Sequence, residues 1–321
     1  MSNDYVEGVR SQNKRLTARL LTKVENLDPE GLTALRQLYT TSGQSHIIGV
    51  TGPPGSGKST LVTALVRHYR TKDLTVGVVA VDPTSPFSGG ALLGDRIRMN
   101  EFALDPKVFI RSMATRGQLG GLASATAGFL AVLEAYGCDV IILETVGAGQ
   151  SEIDVVGLAD TTLVVVVPGL GDSVQAFKAG ILEIADIFVL NKADLVGKDR
   201  QKLQLEQLLS LDPAVHDRQW TPPIVETIAT QAGDLSGVTQ LAEEINHHHQ
   251  FLVGKEFLRE KRASRAEKEL REVLLLELSQ WVRTSVPTKE WRELTEAIVD
   301  RRTDPYSAAQ KLVGRLTQKP S

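Results

Sequence analysis

Short apolar runs, each followed by a glycine- or proline-containing turn and then by helix-like sequence, dominate the chain from His46 onward. Several of these runs are apolar throughout rather than alternating, which is typical of parallel strands that helices cover on both faces. The pattern therefore predicts a mainly parallel, doubly wound α/β domain over residues 46–250. The predicted strands cover residues 47–50, 76–81, 108–110, 140–143, 163–167, 187–190 and 224–225.

Helical periodicity replaces this pattern in residues 1–45. Leu16, Leu20 and Val24 recur four apart among charged residues, as expected of one apolar face on a helix. Asp28 followed by Pro29 predicts an N-cap with proline at the first helical position, where a second helix begins. We expect an N-terminal helical extension.

Residues 251–321 are also helical in pattern. Leu270, Leu274 and Leu278 recur at helical spacing until Pro287 ends the run, and two shorter helices follow, the second beginning at Asp304-Pro305. An amphipathic tail of this kind has to bury its apolar stripe against the main domain, a second copy of itself or a partner.

Composition narrows the class of protein. The 321 residues include 36 Lys and Arg and 39 Asp and Glu, for a net charge of −3, so no overall field favours a nucleic-acid partner. The single cysteine, Cys138, precedes an apolar run that predicts a buried strand, which excludes a disulfide within the chain and fits a reducing compartment. No signal-like segment or apolar stretch long enough for a bilayer is present, so we expect a soluble cytoplasmic protein with no membrane partner.

The strongest chemical motif is Gly52-Pro53-Pro54-Gly55-Ser56-Gly57-Lys58-Ser59, which matches G-x-x-x-x-G-K-[ST] between a predicted strand and a predicted helix. Its glycines let backbone N–H groups converge on phosphate oxygens, and the helix N-terminus that follows favours negative charge. Lys58 can reach the β- and γ-phosphates, and Ser59 can bind Mg²⁺. We expect the phosphates to contact residues 52–60, ending at Thr60, and Lys58 to act in catalysis.

A base-reading motif follows the predicted strand at 187–190. In Asn191-Lys192-Ala193-Asp194, the Asp194 carboxylate can accept hydrogen bonds from guanine N1–H and its exocyclic amine, donors that adenine lacks at these positions. The motif therefore favours GTP over ATP. Ala229-Thr230-Gln231, after the last predicted strand, occupies the place of the loop whose backbone contacts the base.

Acidic residues at strand ends are candidates for the Mg²⁺ site. Glu144 ends the strand at 140–143 and could hold Mg²⁺ or orient the attacking water, while the nearby Gly147 would contact the γ-phosphate. Asp82 lies at the end of another strand, and Asp95 lies in the loop beyond it. With Ser59, these three carboxylates are the candidate metal ligands.

Two further features are weaker. Lys178 follows a glycine-containing loop and could stabilise transition-state charge, although the residues alone favour a solvated surface lysine. His247-His248-His249 cannot share one metal, because consecutive residues on a helix point in different directions, and we interpret them as a solvated helix face.

At these residues the chain resembles the MeaB/ArgK family of GTPases, the accessory chaperones of adenosylcobalamin-dependent methylmalonyl-CoA mutase and its relatives. The resemblance includes the P-loop, the block from Asp82 to Met99, Glu144-Thr145-Val146-Gly147 and the N-K-A-D motif, and it covers the whole nucleotide domain. The guanine loop departs from the family, because Ala229-Thr230 replaces the more usual Ser-Ala.

The resemblance implies a GTPase fold whose C-terminal region is a helical dimerisation arm, so that the protein forms a homodimer. It places Ser59, Asp82, Asp95 and Glu144 around Mg²⁺, and Lys178 in a third switch loop that senses the partner. The implied activity is Mg²⁺-dependent hydrolysis of GTP to GDP, used to gate adenosylcobalamin loading onto a methylmalonyl-CoA-type mutase and to protect that mutase.

Three alternatives stay open. One is a metal-inserting maturation GTPase, although such proteins generally need Cys or His ligands near the nucleotide. Another is a kinase linked to basic amino-acid transport, an older label of the family, and the third is a binding switch with negligible turnover.

Overall fold

The computed structural model describes residues 2–82, 100–114, 121–145, 156–169, 184–211, 219–231, 233 and 236–317. Its strands are β1 (His46–Thr51), β2 (Val76–Asp82), β3 (Val108–Ala114), β4 (Val140–Thr145), β5 (Thr161–Val166), β6 (Ile187–Asn191) and β7 (Ile224–Thr227). Its α-helices are α1 (Ser2–Arg10), α2 (Lys14–Glu25), α3 (Pro29–Tyr39), α4 (Lys58–Thr71), α5 (Gly121–Ala135), α6 (Lys198–Leu211), α7 (Val238–Gly254), α8 (Phe257–Ser285), α9 (Thr288–Val299) and α10 (Pro305–Thr317).

The seven strands form one parallel sheet in the order β3-β2-β4-β1-β5-β6-β7. In this register Val50 pairs with Glu144 and Thr51 pairs with Val164. Because all strands run the same way, the loops after β1, β4, β6 and β7 leave one edge of the sheet, here called the carboxyl edge. The predicted parallel α/β sheet is confirmed.

Helices cover both faces of this sheet. On one face, α4 and α7 bury Leu61 and Leu241 against the strands. On the other, the N-terminal helices and α5 contribute Leu20, Leu38 and Phe129 to a second cluster. This double cover explains the continuous apolar runs of the strands.

The predicted helix starts are also confirmed. The Asp28 carboxylate accepts hydrogen bonds from the backbone nitrogens of Glu30 and Gly31 at 2.9 and 3.2 Å, with Pro29 in the first turn of α3. Asp304 caps α10 in the same way, because its carboxylate accepts hydrogen bonds from the backbone nitrogens of Tyr306 and Ser307. These side chains supply acceptors for N–H groups that a helix leaves without an internal partner.

The chain divides into two compact units, Met1–Glu267 and Lys268–Ser321. The first contains the sheet and the N-terminal helices. Within the second, a salt bridge joins Arg315 of α10 to Glu290 of α9. Several of its large apolar side chains are exposed: Leu270, Val273, Leu274, Leu275, Leu278, Trp281, Trp291, Val299, Tyr306 and Val313. The domain limits given above stay a prediction.

No helix in the described ranges combines the length and the apolar character needed to cross a membrane.

Cys138 is buried, as predicted, and burial raises the pKa of its thiol.

The interpretation of the three histidines as a solvated face is wrong for His248. His247 is exposed, whereas His248 is only 2% exposed and its Nδ1 lies 2.9 Å from Thr161 Oγ1. The His249 ring stacks on His46, with their centroids 4.2 Å apart. The reason is helical spacing, since His248 follows the buried Leu241 and Ile245 by seven and three residues and so lies on the same face of α7.

Candidate nucleotide site at the carboxyl edge of the sheet

The P-loop leaves β1 in a conformation that requires glycine at two points. Gly52 has φ +144°, and a Cβ there would lie 2.2 Å from the carbonyl oxygen of Val165. Gly57, at φ +88°, precedes α4, and a Cβ there would lie 2.5 Å from Asn191 Nδ2. Side chains at these positions would clash with fixed groups, so the tight path of the loop depends on both glycines.

Lys58 is held against the loop that it follows. Its ammonium donates hydrogen bonds to the carbonyl oxygens of Gly52 and Pro53 at 2.7 and 3.1 Å. The side chain is only 6% exposed, so its charge is directed into the loop rather than toward solvent. Ser56 Oγ is also buried and has no hydrogen-bond partner among the residues that the structure describes.

The hydroxyl and carboxylate predicted to bind Mg²⁺ meet directly. Ser59 Oγ donates a hydrogen bond of 2.6 Å to Glu144 Oε1, although 85 residues separate them. Glu144 is 3% exposed, and the pairing of β4 with β1 brings it beside Val50 at the carboxyl edge. Two hard oxygen donors at this distance, beside a loop with buried polar groups, fit a Mg²⁺-bound phosphate.

Asn191 connects the predicted base loop to the P-loop. Its Nδ2 donates to the carbonyl oxygen of Ser56 at 2.9 Å, and its Oδ1 accepts from Thr227 Oγ1 at 3.1 Å and from the Ala229 nitrogen at 3.3 Å. The side chain is 2% exposed. One amide therefore links the P-loop, the end of β7 and the loop that follows it.

Lys192 adds a second link, because its ammonium donates to the Gly55 carbonyl oxygen at 2.9 Å. Its backbone takes φ +56°, which turns the chain sharply after β6. The N-K-A-D motif predicts base recognition for these two residues and does not indicate their contacts with the P-loop. The signal is absent from the sequence because the partners lie about 135 residues apart.

The remaining base-loop residues border solvent. Asp194 is exposed, as are Thr230 and Gln231, whereas Ala229 is buried beside Asn191. An exposed carboxylate beside a buried, hydrogen-bonded loop is accessible to a planar base.

Some predicted site residues are not brought together here. Asp82 is the last residue of β2, so its backbone reaches the carboxyl edge, but its side chain is outside the described part. Asp95, Gly147 and Lys178 lie outside the described residues.

Comparison with known proteins gives one family. The family model described as "Methylmalonyl Co-A mutase-associated GTPase MeaB" matches residues 17–286. A Pyrococcus abyssi protein named "Putative GTPase" is 48% identical over 98% of this chain and 97% of its own length. GTPase ArgK of Escherichia coli is 38% identical over 60% of this chain and 59% of its own. The mitochondrial methylmalonic aciduria type A homolog of Mus musculus is 34% identical over 78% of this chain and 60% of its own.

A solved structure described as an LAO/AO transport system kinase is similar with a TM-score of 0.69, covering 99% of this chain and 98% of that one. At 23% sequence identity, this likeness shows the shared fold alone.

Proposed function

The chain belongs to the MeaB family of P-loop GTPases, and on that premise we propose that it uses Mg²⁺-dependent GTP hydrolysis to serve an adenosylcobalamin-dependent, methylmalonyl-CoA-type mutase as a chaperone. The observation that carries the nucleotide part is the meeting of Ser59, Glu144 and the P-loop at the carboxyl edge. The mutase part is supported by the family description and by the named mouse relative.

The phosphate end of the nucleotide would contact the P-loop backbone and Lys58. The Lys58 ammonium donates hydrogen bonds to two loop carbonyl oxygens in this structure. In the nucleotide complex we expect it to donate to phosphate oxygens instead. Ser59 and Glu144 would hold Mg²⁺, with Asp82 and Asp95 completing the candidate ligands. The chemistry that bound Mg²⁺ supplies is charge neutralisation and positioning of the phosphate oxygens.

The base end would be recognised by Asp194, with Thr230 and Gln231 beside it. Asn191 and Lys192 support this recognition indirectly, because they hold the base loop against the P-loop. Binding of the base and of the phosphates would then be coupled through a shared rigid frame.

On the resemblance given above, Lys178 would sense the partner, whereas Gly147 would contact the γ-phosphate. A chaperone of this kind needs different affinities for its partner in the GTP and GDP states. We assign the C-terminal unit to homodimerisation on the same resemblance, and the large apolar side chains exposed along α8 offer a surface that a second copy would cover.

The test is size-exclusion chromatography of the chain with its organism's methylmalonyl-CoA-type mutase, in a non-hydrolysable GTP analogue and in GDP, with phosphate release measured in parallel. A complex in the analogue and faster phosphate release with the mutase would support the proposal. No complex in either nucleotide, together with an unchanged rate, would refute the chaperone role.

A matched pair of variants separates base recognition from general damage. Asp194→Ala should weaken GTP binding at least tenfold, because the base loses its carboxylate acceptor. Asp199→Ala removes an exposed carboxylate from the first turn of α6 and should leave affinity unchanged. Labelled GTP distinguishes the kinase alternative, since a kinase would transfer the label to protein rather than release phosphate.

A further inference from the structure

A cavity of about 580 Å³ opens in the first unit, at the edge of the sheet where the strands begin, here called the amino edge. Thr162 near the start of β5, Asp186 just before β6 and Trp220 before β7 line it, together with α7 and the beginning of α8. The nucleotide loops lie at the other edge. The length of β6 alone separates the two edges by about 16 Å, so this cavity is not part of the nucleotide site.

Aromatic rings form much of the cavity wall. Trp220 lies with its ring centroid 4.8 Å from that of His248 and 5.2 Å from that of Phe251, and Phe257 lies 5.6 Å from Phe251. Trp220 Nε1 donates to the carbonyl oxygen of Asp186 at 2.8 Å, which fixes the indole. Burial lowers the pKa of His248 to about 4, so this ring is neutral at pH 7.

The charges of the described residues at the cavity do not balance. Asp186 accepts hydrogen bonds from the Thr162 nitrogen at 2.8 Å and from the Lys261 ammonium at 3.1 Å. Lys261 also donates to the carbonyl oxygen of Asp160 at 2.8 Å, so its charge is engaged. Glu260 is exposed at the cavity and forms no ion pair within the described part of the chain. Among the described residues that line the cavity, the Glu260 carboxylate is therefore uncompensated, and it lies beside neutral aromatic faces.

We propose that this cavity is a second ligand site, which takes a small organic cation with an apolar or aromatic body, such as an amidinium or a quaternary ammonium. Aromatic faces attract cations through their ring quadrupoles, and the Glu260 carboxylate adds a direct charge contact. The volume suits a small ligand, and the mixture of apolar walls with few polar groups is typical of such sites. An anion would face Glu260 and find Lys261 already paired.

We expect the cavity and the nucleotide site to be filled at the same time, because they lie at opposite edges of the sheet. Asp186 precedes β6, which ends in Asn191 at the base loop, and α7 runs from beside that loop to the cavity. No residue lines both sites within the described ranges, so a cation and GDP should bind at the same time.

The experiment uses the full chain saturated with GDP and benzamidinium as the probe, followed by calorimetry and by saturation-transfer NMR. Neutral benzamide and anionic benzoate have nearly the same shape and test the charge requirement. We expect benzamidinium to bind measurably tighter than benzamide, benzoate not to bind, and GDP not to compete.

Three variants test where the probe binds. Glu260→Gln should raise the dissociation constant of benzamidinium about fivefold, whereas Glu243→Gln, which removes an exposed carboxylate of α7 outside the cavity, should leave it unchanged. Phe251→Leu should also weaken benzamidinium binding, and urea unfolding checks that this variant remains folded. Equal binding of benzamide, no effect of Glu260→Gln, competition by GDP, or no binding of benzamidinium would each overturn the proposal.

Discussion

Replacing Asn191 by alanine removes the buried link between the base loop and the P-loop and leaves the exposed Lys192 link to Gly55 in place. Three hydrogen bonds are lost, to the Ser56 carbonyl oxygen, Thr227 Oγ1 and the Ala229 nitrogen. Each such bond contributes about 1 kcal/mol net, and a buried group left without a partner costs about 1–3 kcal/mol. Because Asn191 is 2% exposed, water does not readily replace the amide. We expect the free energy of unfolding to fall by about 3 kcal/mol, and affinity for GDP to fall about tenfold or more.

Urea unfolding with and without GDP measures both effects. The matched control is Thr227→Val, which keeps the side-chain shape and removes one of the three bonds, so it should cost only about 1 kcal/mol. If Asn191→Ala loses no more stability than Thr227→Val, and binds GDP as the parent does, the linking role is refuted.

The remaining predictions concern four other residues. Gly57→Ala should reduce GDP affinity by about a hundredfold with unchanged circular dichroism, because its Cβ would lie 2.5 Å from a buried amide nitrogen; normal affinity would contradict the clash. Glu144→Gln should raise the Mg²⁺ concentration for half-maximal GTP hydrolysis about tenfold, and an unchanged Mg²⁺ titration would exclude it as a ligand. Burial holds the pKa of His248 at about 4, below its ordinary value of 6.5, so its stabilising contribution is present above pH 6.5 and is lost as pH falls toward 4. The parent should therefore lose about 2 kcal/mol of unfolding free energy through His248 between pH 6.5 and 5. Urea unfolding should show a smaller loss over this range in His248→Gln and an unchanged loss in His247→Gln. Asp160→Ala should cost about 3 kcal/mol of unfolding free energy, because Asp160 is 1% exposed and its partner arginine would lose its counter-charge; a loss below about 1 kcal/mol in urea would contradict this.

The sequence was informative wherever the determining pattern is local. Periodicity over a few residues predicted the strands, the caps at Asp28 and Asp304 and the end of α8 before Pro287, and the structure confirms these elements. The P-loop motif also carries a local requirement, since Gly52 and Gly57 both take positive φ, although the groups that a side chain there would meet lie far along the chain. The roles of the individual site residues stay predictions.

Tertiary structure decided the contacts between distant parts of the chain. Sheet order placed Glu144 beside the P-loop, and strand register placed Asn191 against Ser56. The same packing buried His248, and the surface interpretation is wrong there because His248 lies on the helix face that Leu241 and Ile245 bury.

The cavity at the amino edge is the clearest case of this division. Trp220, Phe251 and Phe257 are unremarkable in the sequence, and Asp186 and Lys261 lie 75 residues apart. Local sequence determines which segments become strands and helices, because backbone hydrogen bonding and side-chain spacing act over a few residues. Which side chains then face one another depends on how those segments pack, and this requires the whole folded chain.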